Sequence, residues 1–428
     1  DKEKGDEIVN PFIDLVAKRA EGLPLFVNYV TQDVQQGNYP LDGTANLPKG
    51  LTAYHEKLIE GLGVGALKEL LTPLVATLAM ANEPLAEQEI ITFLRLRDRI
   101  ADGEVGDKLV AKGLAAIASM LRRAPDPEGE DGYMLHHLSL REHILTTETM
   151  SYPVEQARKA FAKAAMSPDD EASISNYLYR TGIDHLLRNN QVDDAREKLL
   201  DLDYLGKMFE LGKQNLDILQ YWLKIGDNDQ GQGYIASVNK YLESDVNEGE
   251  FNFLLYNFFN FFLYSSWNSI GIKIGRKTLK TAEIKFECDD KIILNSKSFL
   301  ATFLQNTGEY KEAEKLYRQV LAVEKNVLGL EHESTLSSMN GLALLLLLKA
   351  EYKEAETLFR QTLEIRVRVL GSEHLNTLVT MDNLASTLSA KGEYGEAETL
   401  YRQVLAVEKN ILGLEHQHTL SCMNNLAL

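Results

Sequence analysis

A segment that recurs three times at intervals of 42 residues constrains this chain of 428 residues more than any other feature of its sequence. Each copy has a Gly/Ala-Glu-Tyr triplet, beginning at Gly308, Ala350 and Gly392, followed by a Glu-Ala-Glu run and an Arg-Gln pair. A fixed period of this length is typical of repeat architectures. One repeat cannot bury its apolar face alone, so neighbouring repeats must stack. The C-terminal third is therefore predicted to form a solenoid.

Each repeat has the pattern of two helices. In the middle copy Leu342, Ala343, Leu346 and Leu347 follow helical spacing, which predicts a first helix. This helix should end near Ala350, where the other copies have Gly, the usual residue for a left-handed helix end. A second helix should begin at the acidic residue that follows. Small residues on it should let the two helices approach, and aromatic residues should fill the space between hairpins: Ala313, Ala355 and Ala397, and Tyr317, Phe359 and Tyr401.

These motifs resemble tetratricopeptide repeats of the 42-residue kind found in kinesin light chains and in many fused signalling proteins. Asn424 to Ala427 matches the Asn-Asn-Leu-Ala pattern of that family, and Leu412 to His416 matches its interrepeat loop. The proline that follows the histidine in the family is replaced by Glu333, Leu375 and Gln417, which predicts a less rigid loop. The resemblance covers about residues 290 to 428 and implies binding of a protein or peptide.

The resemblance also places ligand-binding positions on the first helix of each hairpin, at Ser298, Asn340, Asp382 and Asn424. An Asn side chain can both donate and accept a hydrogen bond, so it can hold an extended peptide backbone. The same positions could instead form a solvated helix face. A further repeated set first suggests a metal site, but its period puts each member in a different hairpin, which favours a copied turn residue: His332, His374 and His416.

The N-terminal part has helical patterns broken by Gly and Pro; Gly22 can end one helix and Pro24 can open the next. Four segments resemble, in order, the region after the nucleotide-binding core of STAND-class signalling ATPases of the NACHT or NB-ARC type: Gly22 to Leu25, Leu47 to Leu51, Glu83 to Ile90 and His137 to Glu142. The resemblance implies a small helical domain and a winged-helix domain. It implies further that Pro24 lies near the base of a bound nucleotide and that His137 reaches an ADP phosphate. The alternative is that His137 begins a helix or lies in a core.

The chain has no phosphate-binding motif of its own. No G-x-x-x-x-G-K-S/T string occurs, and Gly61 to Lys68 lacks its spacing. The STAND resemblance therefore implies that ATP or ADP and Mg²⁺ bind to a core upstream of Asp1, and that this chain holds no cofactor and is not itself an enzyme. Further repeats are expected downstream, because the chain ends inside a first helix. An unrecognised hydrolase is an alternative, although no G-x-S-x-G or H-E-x-x-H string supports it.

The composition of the chain limits the kinds of partner and environment that can be expected for it. Acidic residues number 63 against 45 basic ones, a formal charge of −18, so nucleic acid is not expected to bind. The two cysteines form no C-x-x-C pair, which fits a reducing cytoplasm. The aromatic stretch from Phe251 to Trp267 is interrupted by three asparagines; it is too short and polar for a membrane span and predicts a buried helix.

The predicted fold class is all-α, in four parts: a small helical domain at 1–46, a winged-helix-like domain at 47–145, an irregular helical linker or degenerate repeats at 146–290, and tetratricopeptide repeats at 291–428. The predicted function is the sensor and regulatory half of a STAND-type ATPase. In this hypothesis the repeats bind a protein trigger and release autoinhibition, with homo-oligomerisation on activation and a role in bacterial antiviral defence. The alternative is a stand-alone adaptor whose repeats bind a peptide cargo.

Overall fold

A computed structural model describes Val16 and residues 50–63, 65, 67–100, 103–226, 230–244, 247–265, 267–287 and 290–427. The predicted small helical domain, apart from Val16, and Pro24 lie outside these residues. Over the described ranges the chain is helical except for one strand pair, which confirms the predicted all-α class. It divides into two compact units: Asp1–Leu199 with Glu210–Lys213, and Leu200–Phe209 with Gln214–Leu428.

The first unit is a helical body that carries a β-hairpin. Its elements are α1 (Gly50–Leu62), α2 (Lys68–Met80), α3 (Glu87–Arg95), α4 (Glu104–Ala116), β1 (Leu121–Pro125), β2 (Asp131–Leu135), α5 (Leu138–Thr146), α6 (Ser151–Met166), α7 (Ser175–Arg188) and α8 (Val192–Leu200). Short 3-10 turns occupy Ala118–Met120, Glu148–Met150 and Pro168–Asp170. Strands β1 and β2 are antiparallel, with Leu121 opposite Leu135, and Leu85 forms an isolated bridge with Tyr133.

Aromatic packing forms the centre of this unit. The rings of Phe93 and Phe161 stack with centroids 3.9 Å apart, and Phe161 also stacks on His185 at 4.4 Å. The Tyr177 hydroxyl lies 2.9 Å from Nε2 of His185 in the same core. Burial lowers the pKa of His185 to about 3, so the imidazole is neutral and is part of the core.

The second unit consists of consecutive helices. They are α9 (Leu202–Glu210), α10 (Asn215–Ile225), α11 (Gln230–Glu243), α12 (Glu248–Tyr264), α13 (Asn268–Lys285), α14 (Lys291–Asn306), α15 (Tyr310–Val327), α16 (Glu333–Leu348), α17 (Tyr352–Leu370), α18 (Leu375–Lys391), α19 (Tyr394–Ile411) and α20 (Gln417–Ala427). From α14 onward they pair into hairpins, and each second helix packs on its own first helix and on the next one. A single buried apolar cluster runs from Leu300 to Cys422, so the hairpins form one helical solenoid.

The predicted packing roles are confirmed. Ala313, Ala355 and Ala397 are buried on the second helices, and so are the aromatic residues Tyr317, Phe359 and Tyr401. The first helices end in the left-handed conformation, with φ values of 83° at Gly308, 62° at Ala350 and 87° at Gly392. The aromatic stretch is the buried helix α12, as predicted. None of the described helices combines the length and apolarity that a membrane crossing requires.

Candidate protein-binding site

The first helices of the hairpins form a continuous face. Helices α14, α16 and α18 contact one another directly as well as through the second helices. Stacked repeats of this kind present an extended concave surface for binding. We call this face the groove and define it by the partly or fully exposed positions that follow a helical spacing along α14, α16 and α18: Asn295, Phe299, Thr302 and Asn306; Ser337, Gly341, Leu344 and Leu348; Val379, Asn383, Ser386 and Ala390.

The four sequence-predicted positions lie on the first helices but are not equivalent in accessibility. Ser298, Asn340 and Asp382 are partly buried, whereas Asn424 is exposed. The Oδ1 atoms of Asn340 and Asp382 are enclosed and accept no hydrogen bond. Burial raises the pKa of Asp382, although a hydrogen bond with the Asn425 side chain opposes the rise. Asn340 and Asp382 are therefore partly enclosed between neighbouring first helices and only partly accessible from the groove.

The position that directly follows each predicted ligand-binding residue was not among the predicted site residues. Asn383 and Asn425 are the second residues of the Asn-Asn-Leu-Ala pattern, and both are partly exposed. Their counterparts in the two earlier hairpins are Phe299 and Gly341. The signal was present in the sequence, since the family pattern has two asparagines in succession. A hydrophobic pattern alone does not tell which of two adjacent residues is more accessible.

One hairpin with repeat-like contacts begins before the recognisable repeats. Arg276 on α13 donates a hydrogen bond to Glu312 at 2.7 Å, and it stands 42 residues before Arg318. Arg318 pairs with Glu354 at 2.9 Å in the same way, one hairpin further on. Helices α12 and α13 therefore continue the packing of the solenoid. The Glu-Ala-Glu signature is absent from α13, so the sequence placed the first recognisable repeat at 291 and left 146–290 as a linker or degenerate repeats.

The repeated histidines cap helices. In each case Nδ1 accepts a hydrogen bond from the backbone N–H two residues on: His332 from Ser334 at 3.2 Å, His374 from Asn376 at 3.2 Å and His416 from His418 at 3.3 Å. A side-chain acceptor at this position satisfies a backbone donor of the first helical turn. Across the parts of the chain that the structure describes, no group of His, Cys, Asp and Glu could hold a metal ion. The interpretation as a copied turn residue is confirmed.

His137 has the same capping geometry at the start of α5. Its Nδ1 accepts a hydrogen bond from Ser139 N at 3.2 Å. An imidazole that accepts through Nδ1 carries its proton on Nε2, which leaves one donor for another group. The ring lines an open pocket of about 280 Å³ together with Arg122, His136 and Arg141. Burial and the nearby His137 and Arg122 lower the pKa of His136, as expected in a locally positive environment.

Comparison with known proteins identifies the repeats. The tetratricopeptide repeat family model matches residues 292–367 and 351–410. No curated protein matches the chain. Proteins with these repeats are generally non-enzymatic scaffolds that bind proteins or peptides. The C-terminal hairpins are therefore tetratricopeptide repeats of the kind that mediates protein–protein interaction.

Several solved structures are similar to part or nearly all of the chain. A putative kinesin light chain from Podosopora anserina, with nearly identical TPR-like repeats, is 21% identical at a TM-score of 0.36; the match covers 46% of this chain and 94% of that one. BtubC from P. vanneervenii is 16% identical at a TM-score of 0.35, covering 48% and 74%. A STAND protein with a tetratricopeptide repeat sensor from Pyrococcus horikoshii is 12% identical at a TM-score of 0.38, covering 97% and 61%.

Proposed function

We propose that this chain is the sensor and regulatory part of a STAND-type signalling ATPase, in which the repeats bind a protein trigger. The observation that carries the proposal is the pocket around His137, in a unit that accompanies the tetratricopeptide repeats on one polypeptide. Repeats alone would serve an adaptor equally well. The first unit, with its cationic pocket, gives the chain a place where the state of a nucleotide could be read.

The element order around this pocket supports the proposed winged-helix-like domain. Helix α2 is followed by the bridge at Leu85, then by α3 and α4, and then by the hairpin of β1 and β2. A winged helix has this order of helix, short strand, two helices and a two-stranded wing. The bridge between Leu85 and Tyr133 places the short strand beside β2, where a third strand of the wing belongs.

The pocket residues fit a small anion. The two cations Arg122 and Arg141 outnumber the one acidic residue of the lining, Glu83, and Glu83 is already bonded to Arg180 at 2.9 Å. Arg141 is fixed by a hydrogen bond to Ala79 O at 2.7 Å. An ADP held by an ATPase core, with its Mg²⁺, would supply a phosphate oxygen as acceptor for Nε2–H of His137. That hydrogen bond would stabilise the closed, diphosphate-bound state.

The groove supplies the other half of the proposed switch. A trigger shifts a two-state equilibrium only when it binds one state more tightly than the other. Binding in the groove would therefore favour an open state, in which His137 no longer contacts the phosphate. Release of autoinhibition, homo-oligomerisation and a role in antiviral defence complete this proposal.

The test is to isolate the native polypeptide and to measure its mass, alone and with ADP or a non-hydrolysable ATP analogue. The sensor proposal expects a polypeptide heavier than the 48.1 kDa of this chain and an assembled mass that changes with the nucleotide. His137→Ala should weaken retention of ADP, while His374→Ala, the same change at a helix cap in the repeats, should not. A polypeptide of 48.1 kDa whose assembly ignores nucleotide would overturn the proposal.

A stand-alone adaptor is the second candidate. The observation that favours it is that the groove is built within the described residues, from α14 to α18, and needs no nucleotide for its geometry. An adaptor would bind its peptide with the same affinity in the presence and absence of ATP or ADP. Isothermal titration of one peptide with and without nucleotide separates the two candidates.

A further inference from the structure

A glycine occupies the middle of helix α16 on its groove side. Gly341 is partly exposed, and the corresponding positions on neighbouring first helices hold Phe299, Asn383 and Asn425. Glycine destabilises a helix interior relative to almost every other residue except proline. An interior glycine on an exposed helix face therefore calls for a reason in packing or in function.

Packing against the neighbouring aromatic ring does not supply that reason. A Cβ atom at position 341 would lie 3.0 Å from Cε1 of Tyr317, so this ring is the floor beneath the glycine. Two repeats further along, Tyr401 stands in the place of Tyr317 and Asn425 in the place of Gly341. Tyr401 is as buried as Tyr317, at 4% and 5% exposure, and both hydroxyls bond to a first-helix hydroxyl, on Ser386 and Thr302. The fold thus accommodates a side chain at this position.

The surface beside Gly341 is apolar. Leu344 and Leu348 follow it on the same face of α16, and Leu348 is 50% exposed. The corresponding residues on α14 and α18 are polar or small: Thr302 and Asn306, Ser386 and Ala390. At these two positions of the groove, large apolar residues are therefore found in the middle hairpin and not in its two neighbours. This apolar surface adjoins the gap over Tyr317.

The same face lacks charge. From Ser337 to Leu348 the sequence of α16 contains no ionisable residue. The two that flank this stretch are engaged: Glu333 accepts a hydrogen bond from Arg366 at 2.8 Å, and Lys349 pairs with Glu314 at 2.6 Å. A charged ligand residue would lose its hydration here without gaining a partner. Charge complementarity therefore favours an uncharged ligand.

We propose that the gap at Gly341, floored by Tyr317 and walled by Leu344 and Leu348, is a socket for one large apolar side chain of an extended, uncharged peptide segment. The inference rests on the proposed function in that the repeats bind a protein or peptide, and it names the chemistry of that ligand. Asn383, on the next first helix, stands at the same register as Gly341 and can bond the backbone of the peptide through its donor and its acceptor.

The experiment screens a positional-scanning peptide library against the full chain and measures binding by fluorescence anisotropy. Pools with Leu, Ile, Phe or Met at one position and uncharged neighbours should bind, and pools with Asp, Glu, Lys or Arg there should not. Gly341→Asn, which installs the residue present at 383 and 425, should weaken the selected peptide by about tenfold or more, since it fills the socket. Gly395→Asn is the matched control, because a Cβ at 395 on α19 meets no atom within 4 Å.

The outcomes separate this inference from the proposed function. If charged pools bind best, or if Gly341→Asn leaves affinity unchanged, the socket is overturned while peptide binding stands. If no pool binds, the premise that the repeats bind a peptide fails as well. Thermal unfolding of Gly341→Asn should not fall below that of the wild type; if it does, Leu348→Ser, at a half-exposed position, replaces it and should weaken binding by a similar factor.

Discussion

Arg366 on α17 bonds to Glu333 on α16 at 2.8 Å, although the arginine side chain is only 4% exposed. Its other terminal nitrogen donates to the backbone oxygen of Asn376 at 3.0 Å and to Oγ1 of Thr380 at 2.8 Å, both on α18. One buried cation thus joins the two helices of the middle hairpin to the first helix of the next. The corresponding positions of the flanking hairpins hold acidic residues, Glu324 and Glu408, whose pKa values burial raises.

Arg366→Ala should destabilise the solenoid by about 2–4 kcal/mol, because it removes a buried cation and leaves its partners on two helices without it. Arg368→Ala is the control: this arginine lies two residues away, is exposed, and pairs with the exposed Glu331 at 2.6 Å. The control should change stability by less than about 0.5 kcal/mol. Urea unfolding followed by circular dichroism measures both variants. Equal losses would show that the buried network contributes nothing beyond a surface pair.

Ala350→Gly should stabilise the chain by about 1 kcal/mol. Ala350 has a φ of 62°, a left-handed conformation that an L-residue with a Cβ adopts at a cost of about 1–2 kcal/mol. Gly308 and Gly392 occupy the same place in the other hairpins. The reciprocal variant, Gly392→Ala, should lower the midpoint of thermal unfolding, while Ala350→Gly raises it. Shifts of the same sign in the two variants would contradict the argument.

Glu89 gives the first unit a pH dependence. Burial raises the pKa of this carboxyl to about 7; Asp126 and Glu128 add to the rise, and the hydrogen bond from Ala86 N and the charge of Arg180 oppose it. The folded state therefore holds a proton that the unfolded chain releases near pH 4.5. Stability should fall as the pH rises between these values, and the loss should be complete above about pH 7.

Glu89→Gln tests this directly. The amide is neutral and its oxygen can still accept the bond from Ala86 N, which Glu89 now accepts at 2.8 Å. The variant should match the wild type at acidic pH and be more stable by about 1–3 kcal/mol at alkaline pH. Glu87→Gln on the same helix, at a partly exposed position, is the matched control for replacing a carboxylate by an amide. A stability difference that is constant with pH would rule out the titration of Glu89.

The groove asparagines make a separate prediction for ligand binding. Asn340→Ala together with Asn424→Ala should weaken a peptide selected from the library, and unchanged affinity would remove these two positions from the site. Asn383→Ala with Asn425→Ala is the companion pair, and its two residues follow Asp382 and Asn424 on their first helices. Because the second pair leaves the enclosed Oδ1 of Asn340 untouched, a larger effect from it would assign peptide contact to the register of Asn383 and Asn425. Titration calorimetry of the two double variants decides between the two registers.

The repeats were predictable because the same contacts are made more than once. Ala355 and Phe359 each have equivalents one period before and after, so the sequence displays the packing rule three times. The left-handed turn at Ala350 was also predictable, since glycines mark the same place in the other copies. Because the motifs repeat, the sequence predicted both the pairing of the two helices and the residue at which each first helix ends.

Features that occur once were not predictable. The hairpin of α12 and α13 keeps Arg276 in register but has Gly271 and Gly275 where the recognisable repeats have alanine and an aromatic residue. Arg366 stands where the pattern has glutamate, and its partners on other helices depend on tertiary geometry. Which of the two adjacent registers on the first helices contacts a ligand was also not predictable, because adjacent helix positions differ by 100° and the choice between them rests on how the hairpins pack.

The ion pairs between successive second helices have a mechanical consequence. Arg318 reaches from α15 to Glu354 on α17, and Arg360 reaches from α17 to Glu396 on α19. Bending that moves the second helices apart must lengthen both ion pairs. The two pairs therefore oppose bending of the solenoid in that direction. They are exposed, and dissolved ions weaken exposed pairs. The stiffness of the solenoid, and with it the work needed to reshape its inner face around a ligand, should therefore decrease as ionic strength rises.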